Sequence, residues 1–411
     1  ACGVDAQLKR GAWPLHVIFT VGAALGNETF AISFYPLLFF LWDLCVARKV
    51  VYMWVASYII GQSLKDIGQL PRPSEGAIVA RLEGHYAAEY GMPSTHAMTA
   101  WCMPTYMAYL AYGNMPEPWH WWVVAALAGC WVSATTLSRL YMGVHSPADL
   151  WCGSALGLAL LCLGITFMDA ADAWALHHPW APILIPLGAI LTAWLYPRSA
   201  TWSNSAGDTV LVMSAGTGVI LASFTNRDAH TATCAAPVPP VTAPTQLLRA
   251  APFLALALTI IILGRSVTKA IALPLVRYIV HSPAYTAWVQ PSPGPTAFQS
   301  RMTSDGTGEA SALLSGEETP ASHAQLRRRK GAKEASGPSQ GAGHEALHTA
   351  EHAPSSPGAD YEWRYDIELP VKMIVYCVVG WNTVFTSVVV LQALGFKDFG
   401  YTNGTLPNLL T

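Results

Sequence analysis

Long apolar stretches alternate with short polar segments along most of the chain. The first stretch, 13–44, is interrupted by the polar patch 26–29, so it predicts a lead-in helix followed by a span over 30–44. Further apolar stretches cover 50–64, 94–113, 119–136, 147–167, 182–196, 210–224, 252–263 and 370–394. Most approach the roughly 20 helical residues that cross ~30 Å of hydrocarbon. The pattern predicts an all-α, polytopic membrane helical bundle with about nine spans.

The composition agrees with a membrane protein. Only 12% of the residues are charged and 52% are hydrophobic, a balance that argues against a soluble enzyme. The formal net charge of -2 gives no field of one sign. We therefore expect membrane lipids around the protein and no nucleic-acid partner, while the oligomeric state stays open.

Three polar segments, 65–73, 93–96 and 138–149, interrupt the apolar stretches. The first follows the second span, the next begins the third span, and the last joins the fourth span to the fifth. Because successive spans cross in opposite directions, all three segments should emerge on one face of the membrane. Residues far apart in sequence are therefore expected to converge there.

The three segments carry groups suited to an anion. Lys65, Arg72 and Arg139 are cations near the membrane boundary, where a charge is costly unless it has a partner or a function. Together they would neutralise a phosphate dianion, and arginine can bind two of its oxygens at once. Ser94 begins a helix, where free N–H groups favour an anion, although a plain helix cap is the simpler alternative.

Two histidines and a carboxylate accompany these cations. His145 and Asp149 are four residues apart, so they share a face if the fifth helix begins there. A carboxylate beside an imidazole fixes its tautomer, which lets one histidine act as nucleophile while His96 acts as acid. The alternative is again a cap, since Ser146 and Pro147 followed by Asp149 form a good helix start.

These residues resemble a known signature. Lys65-x6-Arg72-Pro73, then Pro-Ser94-Thr95-His96, then Ser-Arg139-x5-His145-x3-Asp149 are similar to the three motifs of the type 2 phosphatidic acid phosphatase superfamily. The stretches KDIGQLPRP, YGMPSTHAM, SRLYMGVHS and GNETF resemble its sphingosine-1-phosphate phosphatase branch. Most of the superfamily has glycine at the position of Thr95, whereas threonine is expected in this branch.

The resemblance implies a reaction and a role for each residue. His145 would attack phosphorus to form a phosphohistidine, Asp149 would orient it, and His96 would protonate the leaving lipid alkoxide. The residues expected to hold the phosphate are Lys65, Arg72, Ser94, Thr95 and Arg139. Neither a metal nor a cofactor is expected. The implied activity is a lipid phosphomonoesterase that converts sphingosine-1-phosphate, or a related long-chain-base phosphate, to the sphingoid base and inorganic phosphate.

Two other functions remain open. One is a broader lipid phosphate phosphatase acting on phosphatidic acid, lysophosphatidic acid or isoprenoid pyrophosphate. The other is a non-catalytic membrane protein that binds or scrambles lipid phosphates. The presence of His96, His145 and Asp149 argues against the second, since binding alone requires only the cations.

The pattern and the resemblance together predict five parts of the chain. Residues 1–29 form a lead-in or interfacial helix, 30–197 a membrane-embedded six-helix phosphatase core, and 198–281 additional transmembrane helices. Residues 282–361 are rich in Ser, Gly, Ala, Pro, Glu and His, which predicts a disordered low-complexity insert. Residues 362–411 hold the final transmembrane helix and a tail.

The orientation follows from basic residues between spans. Arg48 and Lys49 are expected in the connection between the first two spans, on the face opposite the polar segments. Positive connections prefer the cytosol, so the active site would lie in the lumen or outside the cell. The resemblance implies an endoplasmic reticulum protein with a lumenal site.

Overall fold

A computed structural model describes residues 13–41, 44–73, 89–112, 118–197, 203–228, 244–282, 367–387 and 389–390. Within these ranges the regular structure is helical and no strand occurs, so the all-α prediction is confirmed. The helices are α1 (Trp13–Ala24), α2 (Glu28–Leu41), α3 (Leu44–Gly68), α4 (Thr95–Ala111), α5 (Pro118–Tyr141), α6 (Pro147–His177), α7 (Ala181–Leu195), α8 (Asn204–Thr225), α9 (Pro244–Val280), α10 (Leu369–Trp381) and a π-helical turn (Asn382–Thr386).

The chain divides into two compact units. The first comprises 1–278 and 364–411, and it contains all three polar segments that carry the motifs. The second comprises 279–363. Residues 283–361 of the predicted insert lie outside the described residues.

Six helical segments of the described chain are long and apolar enough to cross a membrane: Leu44–Gly68, Trp119–Tyr141, Pro147–His177, Asn204–Thr225, Leu254–Val280 and Leu369–Thr386. Two apolar helices, α1 and α7, are shorter. The protein is therefore an integral membrane protein, as predicted. The predicted total of about nine spans is not confirmed, because several apolar stretches form helices shorter than a full crossing.

The beginning of α3 differs from the prediction. The helix starts at Leu44 rather than near residue 50, so Arg48 and Lys49 lie within it and not in a connection. Arg48 is fully buried and donates hydrogen bonds of 2.6 and 2.7 Å to the carboxylate of Asp172. Lys49 Nζ lies 2.6 Å from Asp169 Oδ1. A buried charge persists only when it is paired, and here acidic partners on α6 offset both cations. The prediction that the active site faces the lumen or the outside of the cell depended mainly on these two basic residues lying in a connection, so it loses its main support.

Helices α4 and α6 approach each other closely at their first turns. Gly153 of α6 faces the backbone of Ser94, and a Cβ at this position would overlap the Ser94 carbonyl oxygen. The Ser94 N–H donates to the Asp149 carbonyl oxygen at 3.1 Å. This close contact brings the second and third polar segments together, because both begin helices that meet at this point.

Candidate active site

The cations of the first polar segment meet at a buried carboxylate. Lys65 Nζ, at the end of α3, lies 3.2 Å from Glu89 Oε2 and 3.3 Å from Thr95 Oγ1. Arg72 Nη2 donates to the same Glu89 Oε2 at 3.1 Å, and its Nε donates to the Glu89 carbonyl oxygen at 3.0 Å. The first and second polar segments are thus connected through Lys65 and Thr95.

Arg72 also reaches the third segment. Its Nη1 donates to the Val144 carbonyl oxygen at 2.9 Å and lies 3.1 Å from His145 Nε2. One guanidinium therefore contacts both Glu89 and the imidazole of His145. Residues separated by more than 70 positions in sequence converge at this point, as the alternation of the spans predicts.

The position of His145 differs from the prediction in one respect. Helix α6 begins at Pro147 with Ser146 as its cap, so His145 precedes the helix and does not share a helical face with Asp149. Its Nδ1 nevertheless lies 3.5 Å from Asp149 Oδ2. The same Oδ2 accepts the Ser146 N–H at 2.7 Å, which completes a capping box. Asp149 therefore both caps α6 and faces the imidazole.

The electrostatic environment keeps His145 neutral. Burial, with the positive charges of Arg72, Lys65 and Arg139, lowers the pKa of His145 to about 3, although the hydrogen bond with the Asp149 carboxylate opposes them. At neutral pH the ring is therefore uncharged. With a carboxylate beside Nδ1, the proton is assigned to that nitrogen, which leaves the Nε2 lone pair directed toward Arg72.

His96 is held by a part of the chain that precedes the motifs. Its Nε2 lies 3.3 Å from Oδ1 of Asn27, in the connection between α1 and α2. A Cβ at Gly26 would overlap the His96 ring, so this close approach requires glycine. Sequence reasoning read the polar patch 26–29 as a helix break. The signal available in the sequence was that these residues are polar although the stretch around them is apolar, which is compatible with a contact to the site.

The remaining predicted residues lie at the ends of helices around this point. Ser94 is the buried N-cap of α4, and its side chain accepts the Ala97 N–H at 3.5 Å. Arg139 lies in the last turn of α5 and is completely buried. It is close enough to lower the pKa of His145. We call Lys65, Arg72 and Arg139 the cation cluster.

Glu89 was not predicted from the sequence. The polar stretch 66–91 contains several acidic residues, among them Asp66, Glu75, Glu83 and Glu89, and no spacing distinguishes one from the others. Its position four residues before the Pro-Ser-Thr-His motif was the only clue.

Among the residues that the structure describes, no group of three or more His, Cys, Asp or Glu side chains could hold a metal ion. The metal-free mechanism stays a prediction.

Comparison with known proteins agrees with this geometry. Residues 46–172 match the family model of the PAP2 superfamily. The chain is 33% identical to sphingosine-1-phosphate phosphatase 1 of Rattus norvegicus over 283 residues, which are 66% of this chain and 64% of that protein. It is 34% identical to sphingosine-1-phosphate phosphatase 2 of Homo sapiens over 217 residues, 52% of each chain.

A dihydrosphingosine 1-phosphate phosphatase of Schizosaccharomyces pombe is 25% identical over 221 residues, 52% of this chain and 53% of that protein. The chain thus spans less than two thirds of the length of these curated relatives. No solved structure matches. The segment that matches the PAP2 superfamily model contains every residue of the three motifs.

Proposed function

We propose that the protein is a lipid phosphomonoesterase that hydrolyses sphingosine-1-phosphate, or a related long-chain-base phosphate, through a phosphohistidine on His145. The observation that carries the proposal is the position of Arg72. Its guanidinium contacts His145 Nε2 at 3.1 Å and belongs to the buried cation cluster. A phosphate bound to this cluster would therefore have its phosphorus next to a neutral imidazole nitrogen.

Binding of the phosphate uses charge and helix geometry together. Arg72 and Arg139 can each offer two N–H groups to phosphate oxygens, while Lys65 adds a point charge. Ser94 and Thr95 begin α4, where the positive end of the helix dipole favours an anion. Because the cations are buried, their attraction for a dianion is weakly screened by salt.

The chemistry proceeds in two displacement steps. His145 Nε2 forms a bond to phosphorus while the bond to the lipid oxygen breaks. His96, whose protonated form the bound phosphate dianion favours, gives its proton to that oxygen. The phosphorylated ring keeps its Nδ1 proton and a positive charge, which the Asp149 carboxylate offsets. In the second step His96 takes a proton from water as the water oxygen attacks phosphorus. The N–P bond then breaks, which releases inorganic phosphate and restores both histidines.

An apolar groove lies on the helices that carry the second and third motifs. It has a volume of about 1670 Å³ and lies between α4, α5 and α6. Its lining includes Leu140 and Leu150, the sequence neighbours of Arg139 and Asp149, and it continues past Trp101, Tyr109 and Gly129. This volume exceeds the roughly 300–1,000 Å³ of ordinary ligand pockets. We assign the groove to the hydrocarbon tail of the substrate, whose phosphate would then lie at the cation cluster.

The location of the site is also part of the proposal. We place the protein in the endoplasmic reticulum with the site in the lumen, as the resemblance to the sphingosine-1-phosphate phosphatase branch implies. Leu70, an exposed residue between Lys65 and Arg72, offers a test. A cysteine at this position should react with an impermeant maleimide only after sealed microsomes are opened by detergent. Labelling of intact microsomes would place the site in the cytosol.

Release of inorganic phosphate by the purified protein tests the activity. Sphingosine-1-phosphate should be hydrolysed faster than phosphatidic acid, and His145→Ala should abolish hydrolysis of both. Radiolabelled substrate should leave an acid-labile phosphate on the wild-type chain and none on the variant. Equal turnover of phosphatidic acid would instead support a broad lipid phosphate phosphatase, and wild-type activity in His145→Ala would reject the mechanism.

A further inference from the structure

Glu89 contacts the cation cluster but has no role in the reaction above. Its side chain is 5% exposed, and it is in contact with both Lys65 and Arg72. Burial alone would raise the pKa of Glu89, but the two cations outweigh it and the pKa is lowered. The carboxylate is therefore ionised at neutral pH, inside a site built for an anion.

A carboxylate in this position is a disadvantage for phosphate binding alone. It accepts hydrogen bonds from the same Lys65 and Arg72 nitrogens that would hold the phosphate oxygens. When a phosphate dianion enters, two like-charged groups share these cations in a buried space, where repulsion is weakly screened. Binding becomes favourable again if the ligand itself brings a positive charge next to Glu89.

Long-chain-base phosphates carry such a charge. Their ammonium is attached to the carbon next to the one that bears the phosphate ester, so it lies only a few bonds from phosphorus. The Arg72 guanidinium contacts both His145 Nε2 and Glu89 Oε2, at 3.1 Å each, so these two groups are separated by the span of one side-chain head group. A phosphorus atom at His145 Nε2 therefore leaves the ammonium within reach of the Glu89 carboxylate.

We infer that Glu89 is a specificity-determining residue that accepts the ammonium group of the long-chain base while the cation cluster binds its phosphate. This inference rests on the proposed function and names the part of the substrate that is recognised. It also accounts for discrimination, because a lipid phosphate without the ammonium would leave Glu89 facing a dianion. Selectivity then arises from repulsion of the wrong substrate as well as attraction of the right one.

The test compares two substrates of equal chain length, sphinganine 1-phosphate and octadecyl phosphate, which lacks the ammonium and the 3-hydroxyl; the charge-removing variant then isolates the part of the difference that is due to the ammonium. The wild-type protein should have a higher kcat/KM for sphinganine 1-phosphate. In Glu89→Gln, which keeps the shape and removes the charge, the ratio of the two kcat/KM values should fall by about tenfold to a hundredfold, the range of one charge-assisted hydrogen bond. Most of the change should be a loss on sphinganine 1-phosphate.

Two outcomes would overturn the inference. Equal kcat/KM values for the two substrates in the wild-type protein would do so without any variant, so the test does not depend on the folding of Glu89→Gln. Equal losses on both substrates in Glu89→Gln would show that Glu89 only positions Lys65 and Arg72. If the wild-type protein released phosphate from neither substrate, the proposed function itself would fail, which is a distinguishable result.

Asp66 provides a matched control. It is a buried carboxylate next to Lys65 in sequence, and it accepts a hydrogen bond from the Tyr196 hydroxyl at 2.8 Å. Asp66→Asn should leave the ratio of the two kcat/KM values unchanged. A fall in this variant equal to that in Glu89→Gln would mean that any lost buried charge alters the ratio, and it would overturn the assignment to Glu89.

Discussion

Asp149→Asn isolates the charge that stabilises His145 during catalysis. When Nε2 bonds to phosphorus, the ring becomes positive in surroundings that lower the pKa of His145 to about 3. The Asp149 carboxylate, 3.5 Å from Nδ1, is the group that opposes this effect. At this distance, Coulomb attraction amounts to about 5 kcal/mol for an effective dielectric constant of ~20.

Loss of that attraction should slow phosphorylation by up to roughly three orders of magnitude. The assay is rapid-quench measurement of phosphoenzyme formation with radiolabelled sphingosine-1-phosphate. Asparagine still offers an oxygen to the Ser146 N–H, so the cap of α6 should survive. A rate within a few-fold of wild type would refute the electrostatic role of Asp149.

Ser146→Ala is the control for the cap. It removes the hydroxyl that accepts the Asp149 N–H at 3.3 Å and leaves the carboxylate in place. We expect a loss of stability of about 1 kcal/mol, visible as a lower midpoint of thermal inactivation, with phosphoenzyme formation near the wild-type rate. A rate loss as large as that of Asp149→Asn would assign the effect to the helix start instead of the charge.

Three further predictions concern the groove, the acid and the nucleophile. Gly129→Leu places a side chain in open space within the groove, so kcat/KM should fall severalfold for long-chain substrates but not for short-chain substrates. Gly188→Leu on α7, also in open space but outside the groove, should change neither value. Equal effects of the two variants would contradict the assignment of the groove to the tail. Asn27→Ala removes the amide that contacts His96 and should slow hydrolysis of lipid substrates about tenfold, because general-acid catalysis is lost in part. Hydrolysis of aryl phosphates, which have good leaving groups, should be affected less. Equal losses on both substrates would argue against His96 as the acid. Because the pKa of His145 is lowered, its ring should stay neutral in nitrogen NMR spectra of the substrate-free protein from pH 8 to pH 5, and a titration near pH 6.5 would show that burial does not control it.

The helical class and the meeting of the motifs could be predicted because both depend on short-range patterns. Apolar stretches of sufficient length must be helical in a membrane, and their alternating direction places Arg72 and His145 on one face. The start of α6 was less accessible. Ser146 and Pro147 signal a helix start as clearly as His145 and Asp149 suggest a shared face, and the structure shows that the helix begins after His145.

Contacts of single residues could not be predicted. Arg48 ends an apolar stretch in sequence and resembles a charge at a membrane surface, yet its partner Asp172 lies 124 positions away. Glu89 and Asn27 likewise gain their meaning from partners on other helices. A sequence pattern reports the burial of a helix face, whereas the pairing of one polar side chain depends on the three-dimensional packing of several helices.

The hydrogen bond between Asn27 and His96 has a practical consequence for expression of the catalytic region. The segment that matches the superfamily begins at residue 46, after α1 and α2. A fragment trimmed to that boundary would keep every motif side chain but lose the amide oxygen that orients the His96 ring. Recombinant fragments designed for enzymology should therefore begin upstream of Trp13.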